Sequence, residues 1–191
     1  AYYQVDLRDP LAIADAARAV GAGGRVDKLF NCAGISQVPG ALNCMLVNFL
    51  GLRELTEAVL PLMPDGAAVA NISSGAGIGY LANMPTIFEL LAITDHGRAK
   101  AWCEANPGKI REGYSFSKEC IIVWTMSMTM PLATDRGIRI NCIGPGPTET
   151  AFEPPSPRLA ASRRREPAGA RRATDIRHDR GEPEPSRARR H

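Results

Sequence analysis

The chain has 191 residues, 45% of them hydrophobic and 23% charged, which is enough for one domain with a sizeable core. No apolar run reaches the ~18 residues of a membrane-spanning helix, and no secretory leader opens the sequence. The net charge of +3 is uneven: residues 154–191 hold eleven Arg, no Lys and five acids, whereas residues 1–153 carry 12 basic against 15 acidic side chains. The basic balance therefore belongs to the tail and says nothing about partners of the body.

In chain order, residues 2–5 (YYQV) predict a short strand that stops at Asp6. Asp9-Pro10 then starts a helix, with Asp9 as N-cap and Pro10 in the first turn. The helix runs through "LAIADAARAV" and ends at Gly21, Gly23 and Gly24. Residues 27–31 (DKLFN) form a strand broken by "CAG". A long helix is expected over 42–63, with Leu46, Leu50, Leu55, Val59 and Leu62 inward. Residues 67–72 (AAVANI) predict a third strand, continuous rather than alternating in pattern, as befits burial on both faces of a parallel sheet.

The stretch 82–112 reads as an insertion with two helical pieces, "IFELLAI" and "GRAKAWCEA". Its apolar side chains Met84, Ile87, Phe88, Leu90, Leu91 and Trp102 could line a pocket or pack on the body. A helix over about 114–133 follows, then a strand at 138–143 (IRINCI) and the loop "GPGPTET".

This alternation predicts an α/β fold, a partial Rossmann-like, doubly wound parallel sheet with flanking helices. Ligands in such sheets sit beyond the carboxyl ends of the strands. Asp6, Asn31 with Gly34, Ser73-Ser74 and Pro145-Gly146 all fall there. The expected organisation is a catalytic domain over 1–153 and a disordered, Arg/Pro-rich tail over 154–191. The tail fits a basic nucleic-acid arm or a shifted reading frame, and the abrupt change after "TETAF" favours the second. The five cysteines (Cys32, Cys44, Cys103, Cys120 and Cys142) form no CxxC pair. They predict reduced, mostly buried thiols in a cytoplasmic protein, and the scattered histidines argue against a metal site.

"YSFSK" places Tyr114 and Lys118 one helical turn apart. A free phenol has a pKa near 10 and is a poor base at neutrality, and an adjacent ammonium favours its phenolate. Spacing alone leaves open a half-buried tyrosine beside a solvated lysine.

Five stretches in order, "NCAG" (31–34), "VNFLG" (47–51), "NISS" (71–74), "YSFSK" (114–118) and "PGPTET" (145–150), resemble the successive motifs of the short-chain dehydrogenase/reductases. The similarity covers roughly residues 1–153. Ser74 and Tyr114 are forty positions apart, where most members have about a dozen. Such an insertion resembles the branch whose members act on coniferyl alcohol or 3α-hydroxysteroids.

The resemblance implies an NAD(P)-dependent oxidoreductase that moves a hydride between nicotinamide and an alcohol or carbonyl compound. Tyr114 would transfer the proton. Lys118 would tune Tyr114 and hold the ribose, Ser74 would bond the substrate oxygen, and Asn48 would hold a water beside the lysine. Asp6 would meet the adenine amino group. Asn31, Ala33 and Gly34 would wall the cofactor, with Cys32 as packing. Pro145, Gly146, Thr148 and Thr150 would grip the nicotinamide. The cofactor is NAD or NADP, with NAD preferred.

The resemblance also implies a homodimeric or homotetrameric parent. The family's glycine-rich TGxxxGIG turn does not occur at the front of this sequence. "GAGIG" at 75–79 is similar to it but follows the serine motif. The expectation is an internal fragment with an altered end, weak or inactive by itself. The rival reading is a non-catalytic Rossmann-like remnant that binds nucleic acid or acidic partners through its tail. It is the less favoured.

Overall fold

The computed structural model describes residues 1–36 and 39–146. Thr148, Thr150 and the whole tail 154–191 lie outside the described residues. Three strands, β1 (Lys28–Asn31), β2 (Ala68–Ile72) and β3 (Arg139–Ile143), form a parallel sheet in the order β1-β2-β3. Asn31 stands opposite Asn71, and Asn71 opposite Cys142, so the three strands end level with one another. The sheet is flanked by α-helices, as the alternation predicts.

Helix α1 (Pro10–Ala22) begins where expected. The Asp9 carboxylate accepts the Leu11 N–H at 2.9 Å, and Pro10 occupies the first helical position, where a missing N–H costs nothing. Residues 2–5 are a correction: they are not in a strand. No described strand lies beside them, and a strand without a neighbour has no ladder to join.

The long helix predicted over 42–63 spans four consecutive segments. They are α2 (Ala41–Cys44), a π-helical stretch Met45–Gly51, α3 (Leu52–Val59) and a 3-10 turn Leu60–Leu62. Leu46, Leu50 and Val59 are buried as expected. The π-helical stretch places Asn48 at its centre, fully buried.

Beyond β2 come a 3-10 turn Gly75–Gly79 and helices α4 (Tyr80–Leu91), α5 (His96–Ala105) and α6 (Pro107–Ile110). Ile87, Leu90, Ala99, Cys103 and Ile110 join one apolar core with Met45, Phe49, Phe116 and Ile121. The inward side chains of the insertion therefore pack on the body. Ile87 and Leu90, fully buried, do not line a pocket.

Helix α7 (Tyr114–Arg136) carries the tyrosine and lysine across the sheet, packed on β2, β3, α4 and the π-helical stretch. It starts at Gly113, whose φ of +81° suits only glycine and whose Cβ would fall 2.3 Å from the Ala41 carbonyl oxygen. It ends at Gly137 in the left-handed conformation (φ 62°), a common helix stop.

A polar ladder crosses the core. The Asn31 amide donates to Thr56 Oγ1 and to Asn71 Oδ1, both at 2.8 Å, and Asn71 donates to Thr125 Oγ1 at 2.9 Å. It ties α3, β1, β2 and α7 together with every side chain satisfied, which fixes the strand register. No helix among the described residues is long and apolar enough to cross a membrane.

Candidate active site

Tyr114 and Lys118 share one face of α7, with the Lys118 ammonium 5.7 Å from the centre of the Tyr114 ring. The lysine is only 5% exposed. Its Nζ donates to the Ile72 carbonyl at 2.9 Å, which fixes the cation at the carboxyl end of β2. Burial pushes its pKa below 10.5, because the charged form loses hydration.

The two serines of "NISS" separate cleanly. Ser73 is 3% exposed and its hydroxyl donates to the Lys118 carbonyl at 2.8 Å, so it is committed to anchoring α7. Ser74 is only partly buried, and its hydroxyl accepts the Ala76 N–H at 3.2 Å as the cap of the following turn. That oxygen keeps its O–H free to donate.

Asn48 comes from the π-helical stretch of the facing helix. Its Oδ1 accepts the Ile35 N–H at 2.8 Å, and its Nδ2 donates to the Ile35 carbonyl at 3.0 Å and to Ser117 Oγ at 3.3 Å. It thereby pins the loop after β1 against α7. A Cβ on Gly34 of that loop would lie 3.3 Å from Asn48 Oδ1 and 3.6 Å from Lys118 Nζ. Asn48, Gly34 and Lys118 therefore meet at one point.

A cleft of about 640 Å³ opens along this loop, with Val5, Asp6, Arg8, Ala33, Gly34 and Ile35 among its walls. Asp6 carries a forked ion pair with Arg8, whose Nη2 lies 2.6 Å from Oδ2. The guanidinium holds the Asp6 carboxyl at a pKa of about 2. Across the sheet, the Gly75 N–H donates to the Pro145 carbonyl at 2.9 Å, which joins the loops after β2 and β3.

Two sequence expectations need correcting. Asn31 is buried and spends its amide on the internal ladder, so its side chain does not wall the cleft. Cys32, expected as packing, is exposed. Pro145 and Gly146 border the turn after Ser74, whereas Thr148 and Thr150 are not among the described residues. The "GAGIG" segment forms the 3-10 turn over α7: a Cβ on Gly77 would meet the Lys118 carbonyl at 3.0 Å. It is thus a packing element beside the serine. The sequence reading missed Arg8, Ser73, Asn71 and Thr125 as organisers of this region. Only the strand register and the α7 contacts reveal them.

The short chain dehydrogenase family model matches residues 1–86. The chain is also 35% identical, over 153 residues, to the coniferyl-alcohol dehydrogenase of a Pseudomonas species. Residues 1–86 therefore carry the short chain dehydrogenase pattern. The coniferyl-alcohol alignment covers 78% of this chain and 58% of that relative. A second relative, the 3-alpha-hydroxysteroid dehydrogenase/carbonyl reductase of Comamonas testosteroni, is 29% identical over 76% of this chain and 62% of its own. Among solved structures, the 3-alpha-hydroxysteroid dehydrogenase of a Pseudomonas species complexed with NADH superposes with a TM-score of 0.65 at 28% identity. That match covers 85% of this chain and 66% of the other. The chain spans less than two thirds of the length of both curated relatives.

Proposed function

We propose that this chain carries the site of a nicotinamide-dependent alcohol/carbonyl oxidoreductase. The carrying observation is the position of Lys118: a buried cation held at the end of β2, one turn from Tyr114 and beside Asn48 and Gly34. A charge this deep is costly to keep without a use. Similarity to the short chain dehydrogenases over residues 1–86 and to the coniferyl-alcohol dehydrogenase supports the same reading.

The fit to a dinucleotide rests on the cleft. Gly34 leaves a gap where any side chain would stand between a ligand and Lys118. Asp6, Ala33 and Gly34 would hold the adenosine half, with Asp6 accepting from the adenine amino group beside Arg8. Lys118 and Tyr114 would meet the nicotinamide riboside, and Pro145 and Gly146, with Thr148 and Thr150, would flank it. The bound nicotinamide supplies or accepts the hydride.

The chain's own residues handle the proton. Tyr114 takes it from the alcohol oxygen as the phenolate and ends as the phenol, or as the phenol gives it to a carbonyl and ends as the phenolate. The Lys118 ammonium stabilises the phenolate form in both directions. Ser74 donates a hydrogen bond to the same substrate oxygen, where it is worth most as negative charge develops. Asn48 fixes the Gly34 loop and Ser117, and so keeps the lysine's surroundings in place.

The substrate class is a benzylic or secondary alcohol, coniferyl alcohol or a 3α-hydroxysteroid, because the two curated relatives are named for these. NAD is the preferred cofactor, since the superposed hydroxysteroid enzyme is complexed with NADH. The test follows absorbance at 340 nm with each alcohol and either NAD or NADP. A rate with one pair supports the reading, and no rate with any pair removes it.

A further inference from the structure

A buried carboxylate stands next to Lys118. Glu119 on α7 is 2% exposed. Arg111 Nη2 lies 2.8 Å from its Oε2, and Asn83 Nδ2 donates to the same oxygen at 2.9 Å. The other oxygen, Oε1, faces Gly79, where an added Cβ would come within 3.0 Å. The partners belong to three segments: the 3-10 turn after Ser74, the first insertion helix α4, and the connection between α6 and α7. One carboxylate therefore joins the insertion to the start of α7.

That connection has an unusual backbone. Arg111 has φ 56°, the one non-glycine positive φ among the described residues, and Gly113 follows at +81°. An L-residue holds this conformation only where its surroundings enforce it. The Arg111 guanidinium is fixed twice, by Glu119 and by the Phe116 ring 5.7 Å away. Tyr114 is the next residue after Gly113, so the direction in which its ring leaves the backbone is set by this corner.

A buried ion pair is no more stabilising than well-packed apolar side chains. Its value here is in geometry. We propose that Glu119 is a positioning residue: through Arg111 and Asn83 it fixes both the corner from which Tyr114 enters α7 and the insertion helix packed along it. The proposal rests on the reading of Tyr114 as the proton-transfer group. The described polar partners of the Glu119 carboxylate are Arg111 and Asn83, not Tyr114.

The test uses the full chain with Glu119→Gln, which keeps the shape and removes the charge. It adds Arg111→Gly, which suits the left-handed φ and removes the guanidinium, and the double variant. Amide hydrogen exchange gives a readout independent of turnover. Each single variant should speed exchange over 80–91 and 111–116 by about tenfold, with β1, β2 and β3 unchanged and the double variant no worse than the larger single. In turnover, kcat should fall about tenfold while the cofactor KM stays within about twofold, the pattern of a lost alignment rather than lost binding. Millimolar guanidinium should restore part of the Arg111→Gly loss and none of the Glu119→Gln loss.

Exchange that is unchanged, or that rises equally in the strands, overturns the proposal, as does a normal kcat beside a loosened corner. A parent chain with no turnover removes the proton-transfer role of Tyr114 and with it the catalytic part. The exchange pattern then still decides whether Glu119 holds the corner.

Discussion

Gly34→Ala separates the cofactor reading from simple packing, because the two predict opposite results. The added methyl would sit 3.3 Å from Asn48 Oδ1 and 3.6 Å from Lys118 Nζ. The second distance is an ordinary contact. The first is tight, and Asn48 is held by three hydrogen bonds, so a small local shift is needed. Gly34 does not have a positive φ, so alanine also gains ~0.4–1 kcal/mol by restricting the unfolded chain. These terms nearly cancel, and stability in urea should stay within ~1 kcal/mol of the parent. A ligand that approaches Lys118 through this gap meets the methyl directly. Dinucleotide affinity, measured by isothermal titration with NADH, should fall at least about tenfold, or ~1.4 kcal/mol. Unchanged NADH affinity in a folded Gly34→Ala chain would refute placing the cofactor along this loop.

Three further outcomes follow from the same geometry. Asn71→Ala removes the centre of the polar ladder and leaves the Asn31 and Thr125 groups short of a partner, so urea unfolding should show a loss of ~2–4 kcal/mol. The depressed pKa of Lys118 means that, between its folded value and 10.5, the unfolded chain binds more protons than the folded one. Stability should therefore rise with pH through that window, and Lys118→Met should abolish the rise in urea midpoints measured against pH. Finally, burial raises the Cys44, Cys103 and Cys120 thiols, Cys103 to about 12, while Cys32 is exposed. A chromogenic disulfide should find one fast thiol, lost in Cys32→Ser, and NADH should slow it, since Cys32 adjoins the Ala33 wall of the cleft.

Much of the fold could be read from local chemistry. Asp9-Pro10 declares a helix start, and the stretch before "SS" declares a parallel strand, although burial along it alternates rather than covering both faces. What could not be read depends on neighbours. Residues 2–5 have strand composition, but a ladder needs a second strand, and none of the described strands lies beside them. The π-helical turns at Met45–Gly51 contain the same apolar residues that an α-helix would, so periodicity does not distinguish the two. Asn31 looked like a cleft residue because it follows a strand. Register with Asn71 turns its amide inward instead.

The same contrast holds for the site. Tyr114, Lys118, Asn48 and Ser74 were visible as motif residues, and the structure brings Lys118 against Asn48 and Gly34 and joins α7 to the "NISS" segment through Ser73 and Ile72. Ser73 and Ser74 are indistinguishable in sequence. Only the bond from Ser73 to the α7 backbone tells which hydroxyl is spent. Glu119 gave no signal at all, because a charged residue beside Lys118 reads as an exposed helix position until its partners are known.

The most direct measurement is a single-turnover rate of hydride transfer, with NAD and coniferyl alcohol both saturating, in the parent chain and in Tyr114→Phe. Loss of the phenol proton alone should cut the rate by about 10²–10⁴ while NADH affinity changes less than about twofold. A Tyr114→Phe chain that keeps the parent rate would contradict the account at its centre.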